Sequence, residues 1–213
     1  MERAIFASYR DWLTEQEMPK GKRAVIQSAL ELFSRNGYDG TATIEISKHA
    51  GVSQATIFKY FKTKQDLLES ILMPIVSDLL PNYREDFLAT IPTTKTIQQT
   101  VHFLVQSRFQ FLENNTDVML IFFSQMMTNP QMKAKMMQFI KETEPQFVTR
   151  IYGALKQTGE LREELTPLAV FRTFGGQLIA YFLQRTKILP EQPTDEEDDL
   201  RLIEGIIVAA LSK

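Results

Sequence analysis

Residues 51–64 read GVSQATIFKYFKTK. Fourteen positions hold one glycine, three small hydroxyl residues, two phenylalanines, one tyrosine and three lysines. The whole chain is slightly acidic, with a formal net charge of -2. Its charge is unevenly spread. Residues 20–64 carry eight basic and three acidic residues, a net +5, against -5 for residues 65–213 and -2 for residues 1–19. A basic island in an acidic chain suggests a local module for a polyanion.

The pattern around the island is helical. In KRAVIQSALELFSRNGYDG, Ile26, Ala29, Leu30 and Phe33 fall at i, i+3, i+4 and i+7, so one helix face is apolar and Gly37 ends it. TIEISKHA and QATIFKYF read as two short helices joined at Gly51, where a tight corner needs positive φ. Ile46, Ala50, Val52, Ile57, Phe58 and Phe61 are the expected buried side of this helix–turn–helix. Its second helix then presents Gln54, Ala55, Thr56, Lys59 and Tyr60 outward. These side chains suit a major groove. Gln pairs with adenine, Ala and the Thr methyl touch thymine, and hydroxyls reach base edges or phosphates. Ser53 is placed to cap the second helix, which also favours a nearby phosphate. Thr63 and Asp66 form a capping box that opens a longer helix, TKQDLLESILMPIVSDLL, in which Pro74 predicts a kink.

Downstream, helices are expected over 95–113, 117–128, 130–140, 142–158, 166–188 and 195–212. No segment alternates apolar and polar between hairpin turns, so the fold class is all-α without a sheet. At 213 residues the chain is long enough to bury a substantial core. It contains no cysteine, which excludes disulfides, thiolate metal sites and cysteine nucleophiles. The only histidines, His49 and His102, lie on different modules, and no GxSxG, HExxH or Walker loop is present. No enzyme activity, metal or cofactor is therefore expected. The N-terminus shows no basic leader with an apolar core, and VMLIFF and GIIVAAL are far too short to span a bilayer. The expectation is a cytoplasmic protein without a membrane partner.

Residues 22–68 closely resemble the DNA-binding domain of TetR-family (TetR/AcrR-type) transcriptional regulators. The resemblance rests on Ala29, Leu32, Phe33, Gly37, Tyr38, Thr41, Ile46, Ala50, Gly51, Val52, Ser53, Thr56, Phe61, Lys64 and Leu67. It implies an N-terminal three-helix helix-turn-helix domain followed by a larger helical ligand-binding and dimerisation domain. The expected boundaries are 1–18 for an N-terminal helical extension, 19–66 for the DNA-binding domain with its helix-turn-helix at 42–61, and 67–213 for the rest. The implied DNA contacts are Thr41, Thr43, Ser53, Gln54, Ala55, Thr56, Lys59, Tyr60 and Lys64. Three positions depart from the family. Phe58 replaces the usual phosphate-bonding Tyr, Tyr60 replaces a common His, and Ala42 stands where a capping Ser or Thr is frequent.

Residues 95–185 are rich in Phe and Met, which suits an apolar effector pocket. The candidate lining residues are Phe103, Gln106, Phe122, Gln125, Met126, Phe139, Tyr152, Phe171, Phe174 and Gln177. The last two long helices carry the expected dimer stripe: Phe171, Gly175, Leu178, Phe182, Leu200, Ile203 and Ile207. The resemblance makes that pair half of a four-helix bundle between subunits. In residues 1–19, Ile5, Phe6, Tyr9, Trp12 and Leu13 form an amphipathic stripe, expected to pack as an extra helix. The function implied is a ligand-responsive regulator. It acts as a homodimeric repressor on palindromic double-stranded operator DNA and is released by a small apolar or amphipathic effector. The alternatives are a TetR-like activator and a helical small-molecule or lipid-binding protein with a non-functional helix–turn–helix.

Overall fold

The computed structural model describes residues 8–75, 91, 96–193 and 195–213. By its contacts the chain divides into two units, Met1–Tyr83 with Asn115–Phe139, and Arg84–Asn114 with Ile140–Lys213. No strand occurs among the described residues, and the one β feature given is an isolated antiparallel bridge between Leu161 and Ser212.

The first unit holds helices α1 (Tyr9–Glu15), α2 (Lys20–Asn36), α3 (Thr43–His49), α4 (Gln54–Tyr60) and α5 (Lys64–Pro74). It also holds α7 (Thr116–Thr128) and the first part of α8 (Pro130–Phe147). The central element is α2, which buries Val25, Ile26, Ala29, Leu30, Leu32 and Phe33. It stops at Gly37, whose φ of 80° lets its N–H return to the Phe33 carbonyl at 3.0 Å. One side of α2 receives α3, α4 and α5, and α7 packs along it as well. A domain boundary at residue 66 therefore does not follow the packing, because α7 joins the same core as the helix–turn–helix. Such a contact spans some ninety residues of chain and leaves no local signature.

Helix α1 is tied into this unit by polar contacts over a buried base. Ser8 caps it, accepting from the Asp11 N–H at 3.2 Å. The Tyr9 N–H donates to Asn115 Oδ1 at 2.8 Å, and Arg10 pairs with Asp117 at the start of α7. Asp117 also accepts from Ser34 of α2 at 2.9 Å, so one carboxylate joins three helices. Tyr9 and Leu13 are buried and Trp12 half-buried, whereas Ile5 and Phe6 lie outside the described residues. The Tyr9 hydroxyl is buried with no partner among the described residues, and burial pushes its pKa up.

Helix α5 runs through Pro74 to its cap at Ile75. The chain after Ile75, where the effect of Pro74 was to be read, lies outside the described residues.

The second unit holds α6 (Ile97–Asn114), the end of α8, α9 (Gly153–Gln157), α10 (Pro167–Leu183) and α11 (Glu196–Leu211). The expected break near residue 141 is absent. Helix α8 continues past Pro145 and passes through a π-helical turn at Val148–Tyr152 into α9. The helix thus persists through Pro145. A second π-helical turn, Gln184–Ile188, ends α10. Helices α6, α10 and α11 pack on one another.

That packing corrects the expected dimer stripe. Leu178, Phe182, Leu200, Ile203 and Ile207 are buried within the single chain. The apolar residues left exposed on the same two helices are Leu168, Phe171 and Ile179 on α10, with Leu202 and Ile206 on α11. Gly175 is half-buried between them. Of the expected interface, Phe171 and Gly175 stay accessible. Helix α10 is apolar nearly all round, so its periodicity could not say which stripe meets its own chain.

Two measurements test this packing. Leu13→Ala is expected to cost about 2–5 kcal/mol of unfolding free energy, read from the urea midpoint; no loss would mean that α1 is not part of the core. Tyr181 donates to Asp199 at 2.9 Å, and burial, reinforced by Asp199, pushes its pKa up to about 12. A raised folded pKa stabilises fully below the ordinary tyrosine value and fades as pH climbs through the folded one. Tyr181→Phe should therefore cost about 1 kcal/mol at neutral pH, with the difference shrinking between roughly pH 10 and 12.

Candidate nucleic-acid interface

Helices α3 and α4 are only seven residues each, so neither is stable alone. Their corner is set by Gly51 at φ 66°, with the Gly51 N–H reaching Lys48 O at 3.2 Å and the Val52 N–H reaching Ser47 O at 3.0 Å. A side chain at Gly51 would not clash but would be forced into the left-handed region. Ser53 caps α4, accepting from the Thr56 N–H at 3.2 Å. At α3 the capping is one-sided. Glu45 accepts from the Ala42 N–H at 2.7 Å, and Ala42 has no oxygen to return the bond.

Ile57 and Phe61 anchor α4; both are buried, and Lys22 Nζ lies 5.7 Å from the Phe61 ring centroid. Phe58 was expected beside them and is not there. It is 47% exposed, because one residue after Ile57 the helix has turned about 100° away from the core.

The expected DNA contacts fall into three groups. Gln54, Ala55 and Lys59 are exposed on α4. The Gln54 amide donates to Thr43 Oγ1 at 3.2 Å, which orients it and leaves one N–H and the carbonyl oxygen for a base edge. Ser53 is exposed at the helix start, its hydroxyl 2.9 Å from that of Thr56. Thr56 and Tyr60 are half-buried and turned toward α2; an added Cβ on Gly21 would lie 3.6 Å from the Thr56 methyl and 3.7 Å from the Tyr60 hydroxyl.

Thr41 is a correction. It is fully buried, and its hydroxyl serves Gly37 O at 2.8 Å and Leu32 O at 3.2 Å, so it holds the α2–α3 loop and faces no ligand. Lys64 closes the same loop. Its ammonium donates to Tyr38 O at 2.9 Å and Thr41 O at 3.1 Å and sits 4.3 Å from the Tyr38 ring centroid. Lys48 at the end of α3 and Lys62 just after α4, not singled out in the sequence, are also exposed. His49 sits 3.1 Å from Ser28 Oγ and near Glu31, a surface contact between α3 and α2.

The expected effector residues are divided between the two units. Phe122, Gln125, Met126 and Phe139 belong to the first unit, where Phe122 and Gln125 are buried. The others belong to the second. Phe103 and Gln106 line a cleft of about 460 Å³ along α6 and α11, with Phe109, Glu113 and Glu196. Gln106 donates to Glu204 at 2.9 Å, and His102 is exposed and meets the same carboxylate at 3.0 Å. Arg185 pairs with both Glu113 and Glu196, and desolvation, then Glu196, raises the Glu113 pKa. Tyr152 donates to Leu165 O at 2.7 Å, Phe174 is buried, Gln177 is half-buried, and Phe171 is exposed against Phe147.

Residues 25–71, from α2 to α5, match the family model of the bacterial regulatory proteins, tetR family. These residues thus carry a tetR-family DNA-binding domain. Over 155 residues the chain is 26% identical to the fatty acid metabolism regulator protein of Bacillus subtilis (strain 168), covering 71% of this chain and 75% of that one. Its fold is also that of solved family members. The ketosteroid transcriptional regulator KstR2 of Mycobacterium tuberculosis superposes with a TM-score of 0.69 at 15% identity, over 93% of this chain and 97% of that one. FadR of Bacillus subtilis in complex with stearoyl-CoA gives 0.58 at 20% identity, over 86% and 94%. These relatives are transcriptional regulators and not enzymes. Among the described residues no helix is long and apolar enough to cross a membrane.

Lys64→Ala, which removes two charge-assisted bonds from the loop, should lower stability by about 2 kcal/mol. It should also weaken DNA binding to every sequence alike. Unchanged thermal unfolding would show that Lys64 does not hold the loop.

Proposed function

We propose that this TetR-family regulator is a homodimeric repressor that reads a palindromic operator through α4 and releases it when a small apolar or amphipathic effector binds. The exposed, lysine-flanked face of α4, with Gln54 aligned by Thr43, carries the reading. Gln54 is the adenine reader and Ala55 a thymine-methyl contact, while Ser53, Thr43, Lys59, Lys48 and Lys62 serve the phosphates. Lys64, Thr56 and Tyr60 support the head from behind its reading face.

The second copy covers Leu168, Phe171, Ile179, Leu202 and Ile206, the large apolar residues left exposed on α10 and α11. Two reading heads then address half-sites about one DNA turn, ~34 Å, or somewhat more apart. The effector class is a long acyl chain with a polar head. Its support is the similarity to a fatty acid metabolism regulator and to a fold relative solved with stearoyl-CoA, together with the Phe and Met content of both units. Effector and operator are negatively coupled, each weakening the other by the same factor.

Binding to the DNA upstream of the protein's own coding region, followed by fluorescence anisotropy across salt concentrations, tests this. Gln54→Ala should cost about 1–3 kcal/mol on the preferred site and relax base preference. Lys62→Ala should weaken all sequences equally and flatten the salt slope by about one. Long-chain acyl-CoA should release the DNA. Salt-independent binding, or equal binding to random duplexes, would sink the reading. Leu202→Glu should convert the dimer to a monomer by sedimentation, and an unaltered dimer would place the interface elsewhere.

A further inference from the structure

Phe58 has no place in the contacts described so far. It is a large apolar residue, 47% exposed, on a helix whose anchoring is already complete with Ile57 and Phe61. Its position is one turn from Gln54 and three residues from Ala55, so the three lie on one face of α4. Lys48 on α3, Lys59 on α4 and Lys62 just after α4 are exposed as well. Such a face meets a polyanion, and an aromatic ring held there is desolvated only when that partner arrives.

The ring of Phe58 has no donor or acceptor. It cannot bond a phosphate, and it cannot pair with the polar atoms of a base edge. The apolar group that a duplex displays in its major groove is the 5-methyl of thymine. Tyr60, the nearest phenol in the sequence, does not supply a substitute hydroxyl on this face, because its hydroxyl is turned toward Gly21 on α2.

We propose that Phe58 is a specificity-determining residue that reads a thymine methyl in each half-site, beside the adenine read by Gln54. This rests on the regulator function proposed above. The reading face is then a polar pairing residue flanked by two apolar ones, Ala55 and Phe58, and its preferred half-site is rich in A·T pairs. A ring that packs on a methyl gains only when the methyl is present, so its contribution is sequence-specific. A phosphate-bonding tyrosine at this position would strengthen all sequences alike.

The test uses the full-length dimer and a duplex chosen by in vitro selection. Each thymine of the half-site is replaced in turn by deoxyuridine, which removes the methyl and leaves the pairing intact. Wild type is expected to lose about three- to five-fold in affinity at one position of each half-site. Phe58→Ala should bind the parent duplex more weakly by a similar factor and show no further loss at that position. Phe58→Leu should keep part of the sensitivity, and circular dichroism should be unchanged for both variants. A flat deoxyuridine scan in wild type, or a Phe58→Ala variant that stays sensitive at the same position, overturns the proposal while leaving the regulator function standing. Failure to select any duplex overturns both.

Discussion

The burial of Ile57 and Phe61 holds in place a recognition helix of seven residues. A helix that short has too few internal hydrogen bonds to offset its nucleation cost in water. It exists because α2 and α3 supply an apolar floor under two of its side chains and because Ser53 closes its first turn. The orientation of every other residue on α4 follows. With Ile57 and Phe61 pointing in, the 100° step between residues turns Gln54, Ala55 and Phe58 out and leaves Thr56 and Tyr60 at the flank beside α2.

The loop before α3 is stabilised with similar economy. Thr41 spends its hydroxyl on two carbonyls, and Lys64 reaches across from α5 to two more. Neither residue is needed for contact with a ligand in order to matter for binding. Both hold the distance between α2 and α3, and so the angle at which α4 is offered. Asp117 plays the corresponding part on the far side, joining α1, α2 and α7 through Arg10 and Ser34. The helix–turn–helix is thus continuous, through α2, with a helix that follows it by more than fifty residues.

Much of this was legible in the chain. The i, i+3, i+4, i+7 spacing on α2, the corner glycine and the Ser53 and Thr63 caps are local features, and each forms where its spacing says it should. The failures have one character. Phe58 was assigned inward because it is apolar, although its neighbours already filled the inner face. Leu178, Phe182, Leu200, Ile203 and Ile207 were assigned to a partner because they make a clean stripe, although that stripe is covered by their own chain. Thr41 was assigned to the DNA because the family resemblance implied it, although two nearby carbonyls needed its hydroxyl.

The amino-acid sequence by itself determined where α2 stops, which residues cap α4 and α5 and turn the chain, and that one basic segment would carry a helix–turn–helix. Those properties depend on residues a few positions apart, through backbone dihedrals, caps and the 3.6-residue period. Only the tertiary structure decided which of two apolar stripes is core and which polar groups are spoken for. It also decided that α7 shares a core with the DNA-binding head. Those outcomes depend on what lies opposite each face, and the opposing element is set by packing between segments far apart in the chain.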